Sequence, residues 1–202
     1  MKIVPAAEGL DAALAALRGG GIVIHATETC YGIACDLTNP AAVRKLFDFK
    51  RRPYTQPVSA LFSSVDAAAS FVTFSPRARA LAAEHLPGPL TLVLPKLGST
   101  PLWITTEGDG NDPMIGVRVS SHPLATHIAA QFGRPIATTS ANVHGAPNPY
   151  SIVALREQFG ASADVLVIDN GILSDAPPST VLEVKNDAVR VIRQGDIRIS
   201  EM

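Results

Sequence analysis

The chain has 202 residues, 47% of them apolar, and 18 acidic against 17 basic side chains leave a formal net charge of −1. That length and apolar content suit one α/β domain over residues 1–202 and exclude a disordered chain, while near-zero charge gives no global field towards nucleic acid or a membrane. Two cysteines, Cys30 and Cys35, are too few for a disulfide framework or a four-cysteine zinc site and fit a reducing cytoplasm.

Leu10, Leu14 and Leu17 share a helical face, and the glycines at 19–21 end that helix. Residues 21–26 then read as a buried strand. Asn39-Pro40 predicts a helix start, a capping amide before a first-turn proline, with Val43, Leu46 and Phe47 facing inward. Strand patterns follow at 57–62, 90–94 and 115–119, with a helix start at Ser75-Pro76. The 98–113 stretch, rich in Gly, Thr and Asp, reads as a loop anchored by Trp103-Ile104. Leu124, Ile128, Ala129 and Phe132 make a helix face stopped by Gly133. A short strand at 136–139, a helix from Ser151 to Gly160, and late strands at 165–168, 181–184 and 189–192 complete the pattern. No apolar run reaches the ~18 residues of a membrane span. The opening Met1-Lys2-Ile3-Val4-Pro5 lacks the apolar core of a signal peptide.

Several segments carry chemistry, and each also has a plain structural reading. Thr27-Glu28-Thr29-Cys30-Tyr31-Gly32 gathers hydroxyls, a carboxylate and a glycine after a strand, where open α/β sheets place ligands. It also reads as a turn whose hydroxyls bond the backbone. Arg44, Lys45, Lys50, Arg51 and Arg52 crowd into nine positions, a phosphate site or a solvated basic surface. Arg118 inside the apolar Val117-Arg118-Val119 needs an anion, either a ligand or a structural ion pair. Thr138-Thr139-Ser140-Ala141-Asn142 ends a strand with hydrogen-bonding side chains, a ligand site or a capping turn. His25, Cys30 and Cys35 fit no zinc spacing, so no metal site is expected.

The order T-E-T-x-Y-G, K-x-R-P, P-G-P-L-T, V-R-V, T-S-A-N, S-T-V and R-x-G, from about residue 20 to 195, resembles the YrdC/TsaC family of threonylcarbamoyl-adenylate synthases. The family's hallmark pairs stand here as Lys50 with Arg52 and Ser140 with Asn142. The resemblance implies a twisted open mixed α/β sheet flanked by helices around a concave electropositive cavity. It implies a nucleotidyltransferase that joins L-threonine, bicarbonate or CO₂, and ATP, releasing pyrophosphate, for threonylcarbamoyladenosine modification of tRNA. Carried over by position, Lys50, Arg52, Ser140, Asn142 and Arg193 hold ATP, the first four catalytically. Thr29, Tyr31, Arg118, Thr138 and Ser179 hold threonine. Mg²⁺ arrives with ATP, and the product passes to downstream threonylcarbamoyl-transfer proteins.

This sequence departs from the family in places. His25-Ala26 stands where the family has Pro before T-E-T. Gln56-Pro57-Val58-Ser59-Ala60-Leu61 stands where it has N-P-L and a later His, and glycine comes late in Val143-His144-Gly145. The chain resembles the short family form, without an extra C-terminal domain. Two other readings stay open: a module that binds RNA weakly without chemistry, and a carbamoyl-transfer relative like those of hydrogenase maturation.

Overall fold

The computed structural model describes residues 1–98, 106–107, 113–161 and 163–199; Trp103, Ile104 and most of the 98–113 segment lie outside them. Its helices are α1 (Ala6–Arg18), α2 (Pro40–Lys50), α3 (Val65–Ala69), α4 (Pro76–His85), α5 (Pro123–Phe132) and α6 (Ile152–Phe159). Its strands are β1 (Lys2–Pro5), β2 (Val23–Ala26), β3 (Tyr31–Asp36), β4 (Ser59–Leu61), β5 (Leu90–Pro95), β6 (Thr106–Glu107), β7 (Pro113–Arg118), β8 (Ile136–Ser140), β9 (Leu166–Asp169), β10 (Thr180–Lys185) and β11 (Ala188–Arg193).

Local chemistry sets the helix starts. The Asn39 amide oxygen accepts from the Ala41 and Ala42 N–H groups, with Pro40 following. Ser75 and Ser151 cap α4 and α6 in the same way, each accepting one orphan N–H. Gly133, at φ 71°, ends α5 in a left-handed turn that a glycine adopts without strain.

The strands form one mixed sheet in the order β1-β9-β2-β3-β8-β4-β7-β5-β10-β11, with β6 paired to β7. Residues in register share a face, and the two faces have different fates. On one, Ile33, Cys35, Ala60, Leu92, Val117 and Ala137 meet α2 and α4 through Val43, Leu46, Phe47 and Leu81. On the other, Val23, Ala34, Leu61, Ile136 and Ile168 meet α1 and α5 through Leu14, Leu17, Ile128 and Phe132. These two helices cover only part of that second face, and the remainder stays open.

Candidate active site

The uncovered rows can be followed strand by strand. Thr138 pairs with Ser59, Ser59 with Gly116, and Gly116 with Val93. One step along, Leu61 pairs with Arg118, Arg118 with Thr91, Thr91 with Val181, and Val181 with Arg193. Both rows line a single cavity of about 370 Å³, together with Thr29, Arg52 and Ser140. Residues from β8 to β11 share this one space, so the sheet curls around it.

Three arginines face the cavity, each held differently. Arg52 donates from Nη2 to Pro57 O at 2.7 Å, while its buried Nε has no hydrogen-bond partner among the described residues. Arg193 clamps Ser179, donating from Nε and Nη2 to its carbonyl and from Nη2 to its hydroxyl at 3.0 Å. The Ser179 hydroxyl lies 3.1 Å from that of Thr91. The expected ATP and threonine sets therefore touch at Arg193–Ser179. Arg118 donates to the Gly88 and Leu90 carbonyls and pairs with Glu28. Burial and the like charge of Arg193 push it down to about 9, still charged at neutral pH. The ion-pair reading of Arg118 holds, and the side chain lines the cavity as well.

Glu28 reaches Arg118 because the β2–β3 turn closes on one hydroxyl. Thr27 Oγ1 donates to Cys30 O at 2.7 Å and accepts the Thr29 and Cys30 N–H groups, both at 3.2 Å. The turn reading of this segment is thus correct locally. The turn projects Glu28 onto Arg118 and onto the Ser120 hydroxyl.

Lys50, expected in a phosphate site or on a solvated basic surface, is instead enclosed. It is the last residue of α2, and only 1% of it is exposed. Its ammonium donates to Ser140 O at 2.5 Å, Asn142 O at 2.7 Å and Asn142 Oδ1 at 3.3 Å. Three acceptors match three protons, which favours the charged form. Burial, and then Arg52, pull in the other direction and lower it to about 7. Arg51 adopts the left-handed conformation, φ 53°, and its turn returns Arg52 to the Lys50 side while Arg51 faces solvent. Positions 50 and 52 share a side through a helix cap.

Asn142 is committed within the protein. Its Oδ1 accepts from the Ser140 hydroxyl at 2.5 Å, and its Nδ2 donates to Ala146 O at 2.6 Å. The Tyr31 hydroxyl donates to Gly171 O at 2.9 Å and accepts from Asn170 N at 3.0 Å. Of the residues expected at the site, Thr29, Arg52, Arg118, Thr138, Ser140, Ser179 and Arg193 line the cavity. Lys50, Tyr31 and Asn142 brace its wall from within the protein. Sequence reasoning missed Ser59, Thr91 and Gly116 as floor residues. Their signal was the alternation along β4, β5 and β7, which becomes informative only once the pairing is known.

Fold and cavity define a class: a curled α/β sheet enclosing a pocket of arginines and hydroxyls. The family profile for Sua5/YciO/YrdC, described as telomere recombination, matches residues 15–195. The chain belongs to this family. The threonylcarbamoyl-AMP synthase of Xanthomonas oryzae pv. oryzae is 34% identical over 183 residues, 89% of this chain and 95% of that protein. P. abyssi Sua5, solved in complex with L-threonine, is 32% identical over 92% of this chain with a TM-score of 0.81. This chain spans 54% of that longer protein. E. coli YciO, at 20% identity, shares the fold, with a TM-score of 0.80 over 92% of this chain and 88% of its own.

Proposed function

We propose that the chain is a threonylcarbamoyl-AMP synthase and thus a nucleotidyltransferase. The observation that carries this reading is a single cavity lined by Arg52, Arg118 and Arg193 above a floor of hydroxyls. Such a site suits two anionic substrates held side by side. The names of the similar proteins support the same reading.

In the proposed reaction the threonine amine adds CO₂ and releases a proton to give the N-carboxylate; where bicarbonate supplies the CO₂, that proton leaves with its hydroxide as water. A carboxylate oxygen attacks the α-phosphorus of ATP, the bond to the bridging oxygen breaks, and pyrophosphate leaves. The protein's work is positioning and charge stabilisation. Arg52 and Arg193 take phosphate oxygens. Thr29, Arg118, Thr138 and Ser179 face the amino acid. Lys50 and Asn142 hold the Ser140 turn from behind, so Ser140 presents to the nucleotide from a fixed backbone. Tyr31 acts through the 169–171 segment it ties down. Mg²⁺ enters as part of the ATP substrate, held by phosphate oxygens and water.

The product, a mixed anhydride, requires a threonylcarbamoyl-transfer partner acting on tRNA. The two cysteines are free and buried, and no described helix is long and apolar enough to cross a membrane. A cytoplasmic location accords with both. Purified protein mixed with ATP, Mg²⁺, threonine and bicarbonate is expected to form the adenylate and pyrophosphate without tRNA, as read by mass spectrometry. Intact ATP and no adenylate would overturn the reading, and strict dependence on tRNA would favour an RNA-binding module.

A further inference from the structure

Hydroxyls on the cavity wall divide into two groups. Thr27 is used in its turn, Ser120 by Glu28, Ser140 by Asn142, and Thr91 with Ser179 by one another and by Arg193. Ser59 and Thr138 differ. They are register partners on β4 and β8, both half-buried and both on the floor. Neither hydroxyl has a hydrogen-bond partner among the described residues. The Ser59 hydroxyl lies over Gly116, where a built Cβ would stand 2.7 Å from it. A second wall of that space is Thr91, whose Cγ2 would lie 3.2 Å from the same Cβ. The glycine thus lets the Ser59 hydroxyl and the Thr91 methyl close in over the floor, with Thr138 and Val93 beside them.

We propose that Ser59, with Thr138 beside it and Gly116 providing the room, is a specificity-determining residue that reads the β-hydroxyl of the amino-acid substrate. The inference rests on the threonine reading above. A free hydroxyl pair can donate one hydrogen bond to the substrate oxygen and accept its proton. An amino acid lacking that hydroxyl leaves both protein groups without a partner, which is how a polar pocket rejects an isostere. The hydroxyls of Thr27, Thr29, Thr91, Ser120, Ser140 and Ser179 already make bonds they would first have to give up, and Thr139 alternates to the opposite face of β8 from Thr138.

The experiment compares L-threonine with L-2-aminobutyrate, which keeps the terminal methyl and lacks the hydroxyl, in adenylate formation and in calorimetric binding. The native protein is expected to favour threonine by ~10-fold or more. Ser59→Ala is expected to lower kcat/KM for threonine by ~3- to 10-fold, the loss of one neutral hydrogen bond, and to leave 2-aminobutyrate within about twofold. Gly116→Ala, whose Cβ would force the Ser59 hydroxyl aside, is expected to raise KM for threonine with KM for ATP little changed. Parallel losses for the two amino acids, or an unchanged ratio in Ser59→Ala, would overturn the proposal while threonine still binds the native protein. If the native protein neither binds nor activates threonine, the functional reading itself falls, and this inference falls with it.

Discussion

Lys50 shows how burial changes the meaning of a charge. A cation in a polar run is by default a solvated one, and removing it would leave stability alone. This one is almost wholly enclosed and bonds two carbonyls and an amide oxygen of the 140–142 turn. Lys50→Ala takes the ammonium donor from the Ser140 and Asn142 carbonyls, while Asn142 Oδ1 keeps the Ser140 hydroxyl. It is expected to cost about 2–3 kcal/mol of stability as well as activity, because hydrogen bonds to a charge are strong. Arg52 differs, lining the cavity and donating to Pro57 O. Arg52→Ala is expected to lower kcat/KM by ~10- to 100-fold with little change in Tm. Arg51, exposed on the far side of its turn, is expected to be mild on both counts. Steady-state kinetics and thermal melts of the three variants separate these outcomes. Equal small effects at all three positions would mean a diffuse basic surface.

At the scale of elements, Arg193 depends on how closely the segment after β11 crosses the start of β10. A Cβ on Gly195 would stand 2.1 Å from Pro178 O and 2.6 Å from Thr180 N. Backbone cannot yield as a side-chain tip can, so only glycine fits this crossing. The crossing is fastened by Gly195 N donating to Thr180 Oγ1 at 3.0 Å and by Thr180 Oγ1 donating to Ile197 O at 2.6 Å. Gly195→Ala is expected to destabilise the protein by about 1–3 kcal/mol, as overpacking does. It is also expected to weaken ATP binding by displacing Arg193 from Ser179. Calorimetric ATP titration and a urea melt test both; an unchanged ATP affinity would detach Arg193 from the nucleotide. The R-x-G motif is then a geometric pair, a cation and the glycine that lets its strand approach.

For the whole molecule, the cavity face carries a buried histidine that shapes acid stability. His25 is fully enclosed in β2, and its Nε2 has no partner among the described residues. Burial lowers it from 6.5 to about 4, against a partial offset from its bond to Ala26 O. Between those values the unfolded chain binds a proton that the folded chain refuses. Stability is therefore full above about pH 6.5 and falls as pH drops towards 4. At ~1.4 kcal/mol per pH unit, the total loss is roughly 3 kcal/mol. His122, also lowered by burial, acts in the same direction. Denaturant melts from pH 7 to 4 are expected to show this decline, and His25→Phe is expected to flatten most of it. A decline of equal depth in His25→Phe would assign the acid sensitivity elsewhere.

Helix starts at Asn39, Ser75 and Ser151, the stop at Gly133 and the apolar strands at 90–94 and 181–184 were legible in the sequence, because caps and runs act within a few residues. So was the family, through ordered motifs whose residues are chemically constrained. β3 was not legible as a strand, since all six of its residues are buried and no alternation survives. Lys50 against the Ser140 turn joins positions 90 and 92 residues apart, Glu28 meets Arg118 and Ser120 at the same separations, and Ser59 over Gly116 needs the β4–β7 pairing. Local sequence determined which groups the chain carries and where its elements begin. Strand order and the curl of the sheet, set by long-range pairing and core burial, decided which of those groups face the cavity and which hold it from behind.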